Sequence, residues 1–201
     1  YWDIELKEKK AYKELHKHST VEEIQFLAEN PLVRRAKLRQ VCSGFLYDDV
    51  GNLYPMKHDK LKVLGEHLDS FNKKLVIYCH FKQSIREVSA LLDKKKIKYV
   101  QLYGESKDKN VWTKFQSDDS IRVIVCQYQA ASSGIDLYAA DTMLFYEPTD
   151  SSTTYEQCKD RIHRTGTVNK CSHICFQTSG TIEAAMYNAL ANFADFNEAL
   201  F

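Results

Sequence analysis

The run Leu75-Val76-Ile77-Tyr78-Cys79, followed by His80-Phe81-Lys82-Gln83-Ser84, decides the reading of the fold. An unbroken apolar run of this length is what a parallel strand buried on both faces requires. Beyond the polar turn, Ile85, Val88, Leu91 and Leu92 recur on one side, the spacing of a helix with one apolar face. Short apolar runs then return at residues 99–102, 121–126, 142–146 and 172–176. Strands alternating with helices at this spacing predict an α/β, doubly wound, mainly parallel sheet. Ligands of such sheets meet the loops at the carboxyl ends of the strands. Those loops hold the polar residues here: 79–84, 104–106, 127–137 and 147–152.

Upstream the texture differs, and residues 1–72 read as an N-terminal helical subdomain leading into a domain over 73–201. Ser19 or Thr20 can cap a helix, with Glu22 or Glu23 three residues later and Val21, Ile24, Leu27 and Ala28 at helical spacing. Pro31 marks a break, residues 32–42 and 57–71 read as two further helices, and 44–55 as a loop.

Composition narrows the class. With 201 residues, 44% of them hydrophobic, the chain can build one large domain or a domain with a subdomain. A formal net charge of +1 supplies no overall field toward nucleic acid, so any such binding must come from local patches. Six cysteines without a C-x-x-C pair indicate a reducing, cytoplasmic setting rather than a disulfide scaffold. Cys171, His173 and Cys175 alternate and can share a strand face, but no second ligand cluster accompanies them, and no metal site is assigned. No apolar run approaches 18 residues, so no membrane-spanning helix is expected. The chain opens on Tyr1 without a methionine, and a fragment of a longer protein is expected.

The richest chemistry lies in Gln157-Cys158-Lys159-Asp160-Arg161-Ile162-His163-Arg164-Thr165-Gly166. On a helix, Arg161 and Arg164 project the same way, with Gln157 one turn behind. Two guanidinium forks aimed at one point suit a polyphosphate.

Taken together, these segments resemble the C-terminal RecA-like lobe of a superfamily 2 helicase or translocase, and more closely the Swi/Snf-type DNA-translocating ATPases. Leu38-Arg39-Gln40-Val41-Cys42-Ser43 is similar to the helical segment that opens this lobe, and residues 74–81 to motif IV. Leu102-Tyr103-Gly104-Glu105-Ser106 resembles the glycine motif after it, and Ala130-Ala131-Ser132-Ser133-Gly134-Ile135-Asp136-Leu137 resembles motif V. The arginine stretch resembles motif VI. Gly180-Thr181-Ile182-Glu183 matches the G-T-I-E that follows it in the Swi/Snf type and not in DEAD-box RNA helicases. Departures exist: Ala131 and Ser132 replace two glycines, Asp136 an asparagine, Glu147-Pro148-Thr149 the usual W-N-P, and Thr167 a glutamine. They point toward a compact bacterial or phage member, cytoplasmic there and nuclear if eukaryotic.

The resemblance implies roles. Arg161 and Arg164 act as arginine fingers on a nucleotide, and Gln157 positions nucleotide or water. Gly134 and Asp136 lie at the nucleotide; Asp136 contacts ribose, holds an arginine, or is an ordinary helix-start carboxylate. His163 packs or hydrogen-bonds. His80, Lys82, Gln83, Ser84, Gly104, Ser106, Lys107, Ser132 and Ser133 meet the nucleic-acid backbone, with free N–H groups where the helix starting at Lys82 begins. Double-stranded DNA is the expected partner, with RNA second, together with an N-terminal RecA-like lobe of the same polypeptide. ATP and Mg2+ are the expected cofactors. The sequence holds no G-x-x-x-x-G-K-[ST] and no D-E-x-H, so those ligands must be bound mainly by the other lobe, and the chain alone should be inactive. The alternatives are a general RNA or DNA helicase lobe, or a RecA-like module that binds nucleic acid or a partner without ATP.

Overall fold

The computed structural model describes residues 1–22, 26–27, 30–106, 108, 110–131, 134–162 and 171–196. The chain runs β1 (Trp2–Ile4), α1 (Lys9–His18), β2 (Thr20–Val21), β3 (Phe26–Leu27), α2 (Pro31–Cys42), β4 (Phe45–Tyr47), β5 (Leu53–Pro55) and α3 (Lys60–His67). It continues with β6 (Lys74–Cys79), α4 (Lys82–Lys94), β7 (Tyr99–Leu102), α5 (Val111–Ser117), β8 (Val123–Gln127) and α6 (Tyr128–Ala131). The last elements are β9 (Ala140–Phe145), α7 (Ser152–Lys159), β10 (Ser172–Thr178) and α8 (Ile182–Ala191).

One six-stranded sheet, in the order β1-β10-β9-β6-β8-β7, organises the chain. Its neighbouring strands all pair in parallel. The expected RecA-like doubly wound α/β sheet is therefore present, with every strand ending at the same edge. Alternate side chains of β6 serve opposite faces. Val76 and Tyr78 join Ile124, Cys126, Phe145 and Tyr187 in one core. Leu75, Ile77 and Cys79 join Val125, Leu144, Tyr146, Ile85 and Val88 in the other. Burial on both faces is why β6 reads as continuously apolar. A third cluster packs Tyr12, Leu15, Leu38 and Val41 from α1 and α2 against Ile182 and Met186 of α8.

Local signals set several helix starts. Asn30 accepts the Val33 N–H at 2.9 Å and Pro31 occupies the first turn of α2. Ser151 accepts the Thr154 N–H at 3.2 Å at the start of α7. The helix expected from Ser19 onward is not formed: Thr20–Val21 pairs antiparallel with Phe26–Leu27, while Ile24 and Ala28 lie outside the described residues. Residues expected as a loop after Gly44 form the β4–β5 hairpin, which buries Phe45 and Leu46 and is closed by Asp48 accepting the N–H groups of Val50 and Asn52. The third helix ends earlier than expected, at His67, followed by a 3-10 turn over Leu68–Ser70. The lead-in is also not purely helical at its start, because β1 adds to the main sheet beside β10.

Candidate functional site

The sheet order reverses at β6: the chain leaves it through α4 toward β7, returns as β8, then crosses to β9 on the other side. Such a switch point opens a crevice at the carboxyl ends of the strands. Glu147, just past β9, reaches across to the end of β6. Its Oε2 accepts the His80 N–H at 2.7 Å and the Phe81 N–H at 3.4 Å, and its Oε1 accepts the Ser84 hydroxyl. The carboxylate is 1% exposed and sits against the positive end of the α4 dipole. The carbonyl of Glu147 accepts the buried Tyr128 hydroxyl. An internal anion thus occupies part of the helix start that was expected to receive phosphate.

The expected nucleic-acid residues divide accordingly. Ser84 is buried with its hydroxyl on Glu147, so that hydroxyl faces the interior rather than a backbone phosphate. The Ser106 hydroxyl closes its own turn, accepting the Tyr103 N–H at 2.9 Å and donating to the Gln101 carbonyl at 3.4 Å. Lys82 is exposed and paired with Glu105 across the mouth of the crevice. Exposed pairs of this kind are worth little, so the ammonium is exchangeable onto another anion. Gln83 donates to Glu87 at 2.9 Å and accepts the Tyr47 hydroxyl at 3.4 Å. His80 packs edge-on to Phe81. Burial, reinforced by the Arg39 cation, lowers its pKa to about 3, so the ring is neutral at pH 7. Lys107, Ser132 and Ser133 lie outside the described residues.

Gln127, at the end of β8, joins the two neighbouring strand ends. Its Nε2 donates to the His80 carbonyl at 3.3 Å and its Oε1 accepts the Gly104 N–H at 3.4 Å. Beyond it opens a cavity of about 390 Å³ lined by Gly104, Trp112, Gln127, Gln129, Gly134 and Ile135. Gly104 and Gly134, assigned to different ligands from sequence, therefore border one space. Gly134 adopts φ +70°, a left-handed conformation that favours glycine.

Motif VI is held against motif V. The Arg161 carbonyl accepts the Leu137 N–H at 2.8 Å, and its guanidinium NH1 donates to the Ile135 carbonyl at 3.4 Å. The Asp136 carbonyl accepts the Gln116 side chain at 2.9 Å. Gln157 stands exposed on α7, but α7 ends at Lys159, and Arg161 follows in a turn whose N–H reaches the Cys158 carbonyl at 3.2 Å. The helical face expected to carry both arginines is thus interrupted before Arg161, because its backbone is bonded to the 135–137 segment. His163 and Arg164 lie outside the described residues.

Sequence reading missed three organising residues. Glu147 and Gln127 are described above. Arg39, 3% exposed, donates to Asp150 at 2.8 Å and to the Pro148 carbonyl at 2.6 Å, and its guanidinium lies 5.5 Å from the Phe81 ring centre. It ties α2 to both loops at the switch point. Its place inside the Leu38-Arg39-Gln40 segment was the available signal.

The sequence profile of the helicase conserved C-terminal domain matches residues 59–166, from the cap of α3 through motif VI. The chain belongs to that family. This helicase lobe is of the Swi/Snf type. It is 31% identical over 141 residues to the human chromatin-remodeling ATPase INO80, a match covering 69% of the chain and 9% of that protein. It is 28% identical over 181 residues to helicase SWR1 of Kluyveromyces lactis, covering 87% of the chain and 11% of that protein. The lobe thus spans about a tenth of the length of these relatives. The crystal structure of the C-terminal part of the Fun30 ATPase domain superposes with a TM-score of 0.61 at 20% identity, covering 70% of the lobe and 46% of that chain, which supports the fold. These relatives give no support to the bacterial or phage origin expected from the motif departures.

The structure also shows what the Gly180-Thr181-Ile182-Glu183 signature does in this lobe. Gly180 takes φ +69°, Thr181 caps α8 by accepting the Glu183 N–H at 3.3 Å, and Ile182 enters the third core. Glu183 is fully buried, accepts the Thr178 N–H at 2.9 Å, and forms an ion pair with the equally buried Lys60 at the start of α3. The signature locks the last helix onto the lobe.

The six cysteines are free thiols, five of them buried. Among the described residues no group of His, Cys, Asp and Glu is arranged to hold a metal, and no helix is long and apolar enough to cross a membrane.

Proposed function

We propose that this chain is the second motor lobe of an ATP-driven double-stranded DNA translocase, contributing to an ATPase site that it does not complete. The observation that carries the reading is Arg161, bonded to the 135–137 segment at the carboxyl edge of a sheet whose sequence has no phosphate loop. ATP with Mg2+ fits here as half a site: Gly134 lets a ligand approach the backbone and Arg161 offers positive charge, while the described residues hold no magnesium ligand set. When bound, ATP supplies the phosphoryl group whose transfer to water drives the motor. The role of this lobe is electrostatic and positional. Arg161 and Arg164 face the charge that develops on the phosphoryl oxygens, and Gln157 orients nucleotide or water. Closure of the two lobes brings these groups to the nucleotide.

DNA follows the same edge. Lys82 exchanges Glu105 for a phosphate, and Gly104, Gln83, Lys107, Ser132 and Ser133 add contacts that set register without reading sequence. His80, neutral and fixed by Glu147 and Gln127, shapes the loop. The division into a lead-in over 1–72 and a motor lobe over 73–201 belongs to this reading, as does a nuclear place of action if the protein, like INO80, works on eukaryotic chromatin. The deciding experiment is ATP hydrolysis by the full-length protein with and without duplex DNA. Duplex stimulation that is lost in Arg161→Ala supports the reading. Equal turnover in that variant, or stimulation by RNA alone, overturns it.

A further inference from the structure

The candidate DNA contacts cluster near β6, β8 and β7. The opposite end of the same edge, at β1 and β10, carries a different surface. Helix α1 follows β1, and the Ser179 N–H bonds to the Ile4 carbonyl at 3.1 Å, so the loop after β10 lies beside the one leading into α1. The ten residues of α1 include Lys9, Lys10, Lys13, His16, Lys17 and His18, all exposed, while Ala11, Tyr12 and Leu15 form its buried face. Lys9, Lys13 and Lys17 are spaced by four and line one groove of about 350 Å³. Its floor includes Leu6 and Tyr12, and Gly180, without a side chain, stands at its wall.

Two features select the occupant. The first is charge. Lys9 is paired with Glu5 at 3.2 Å, but among the described residues Lys13 and Lys17 have no ion pair. At a rise of about 1.5 Å per residue, the three ammonium groups form a row roughly 12 Å long, which spans several phosphates of a duplex that carries one charge per about 1.7 Å of its axis. The second is the lack of an apolar anchor. Protein interfaces are built around desolvated aromatic or aliphatic anchors. None of the exposed large hydrophobic residues of this lobe is on α1, and Tyr12 is only 6% exposed. A groove rimmed by lysines, with no projecting apolar anchor on the helix beside it, fits a polyanion.

We infer that the Lys9–Lys13–Lys17 face of α1 is a second, sequence-indifferent docking surface for the phosphodiester backbone of nucleic acid. It lies outside the matched helicase segment, which begins at residue 59. It is set apart from the Lys82 and Gly104 loops: β10 is two strand positions from β6 and four from β7, or about 10 and 19 Å at roughly 4.8 Å per strand. The surface extends the track available to a duplex along the carboxyl edge, and its binding needs no nucleotide.

The test is a binding titration of the full chain on two unrelated 20-base-pair duplexes between 50 and 200 mM salt. It compares wild type, Lys13→Gln/Lys17→Gln and Lys82→Ala, with melting curves to confirm that each variant folds. Each phosphate contact contributes about −0.9 to the slope of log K against log salt, so removing two lysines should flatten it by about 1.8. Raising the salt fourfold should then cost wild type about tenfold more affinity than the double variant, on both duplexes alike. Poly-glutamate of matched charge is the second probe and should bind more weakly than duplex. The inference is overturned by unchanged affinity and slope in the double variant, by absence of duplex binding at 50 mM salt, or by tighter binding of poly-glutamate. A loss confined to Lys82→Ala overturns this surface and leaves the motor-lobe reading intact; a loss confined to the α1 variant supports this surface and removes Lys82 from the proposed DNA contacts.

Discussion

Replacing Lys60 with methionine should destabilise the lobe by about 3–5 kcal/mol, the range for removing one partner of a buried ion pair. The structure places this pair at the severe end of such sites. Both side chains are 0% exposed, and the partners are 123 residues apart in sequence, one opening α3 and the other opening α8. Glu183 keeps the Thr178 N–H at 2.9 Å on one oxygen, but the other oxygen loses its cation in a dry site beside Tyr146, whose ring lies 5.5 Å from the Lys60 ammonium. For a chain of this size 1 kcal/mol corresponds to roughly 2–4 °C, so melting should fall by roughly 6–20 °C. Glu183→Gln should be similarly damaging, because it leaves a buried lysine uncompensated. The double variant Lys60→Met/Glu183→Gln removes both charges and keeps an acceptor for Thr178. It should recover a large part of the loss, giving a coupling energy of about 2 kcal/mol or more in a double-mutant cycle. Urea unfolding of the four proteins measures this. A loss below about 1 kcal/mol in Lys60→Met, or a double variant equal to the sum of the singles, would refute the assignment of the Gly180-Thr181-Ile182-Glu183 segment as a lock.

Further outcomes are expected. The chain alone should release no phosphate from ATP with or without DNA; phosphate release that disappears in Arg161→Ala would contradict the half-site. In the full-length protein, Arg161→Ala should lower turnover by roughly 10³-fold with little change in nucleotide affinity, and Arg161→Lys should not restore it, since lysine lacks the planar fork; pre-steady-state hydrolysis separates the two effects. Glu147→Ala should cost about 3 kcal/mol by leaving the His80 and Phe81 N–H groups and the Ser84 hydroxyl without their acceptor, and Glu147→Gln should cost less; chemical denaturation ranks them. Stability should also fall on acidification. His80 and His58 have folded pKa values lowered to about 3 and about 4 by burial, reinforced by nearby cations. Below pH 6.5 the unfolded chain therefore binds protons that the folded lobe does not. The stability present above that pH is lost progressively toward pH 3–4, on the order of 1–2 kcal/mol per histidine between pH 7 and pH 5. A His80→Gln variant should show a shallower loss over the same window.

The sequence by itself determined the sheet. The run 75–79 lies in a strand buried on both faces, the run expected over 121–126 is a strand from Val123, and the one-sided spacing of Ile85, Val88 and Leu92 is the apolar face of the helix after β6. These are local signals, because burial on two faces is written into consecutive residues. The motif residues were legible for the same reason, since each motif is a short continuous stretch. Short elements were not. Val21, Ile24 and Leu27 fit a helical period equally well, but Thr20–Val21 pairs with Phe26–Leu27 instead. Trp2–Ile4 is too short to show any period and becomes a strand only because Phe176, Gln177 and Thr178 of β10 offer it a free edge. The partners of the polar residues were decided by tertiary structure alone. Ser84 reads as an exposed helix-start serine until Glu147 arrives from β9, 63 residues on. Arg161 and Gln157 read as one helical face until the 135–137 segment captures the Arg161 backbone and the helix stops at Lys159. A hydrogen bond or a buried ion pair depends on what the fold brings within about 3 Å. That distance is set by the packing of strands far apart in the chain, and no spacing along the sequence encodes it.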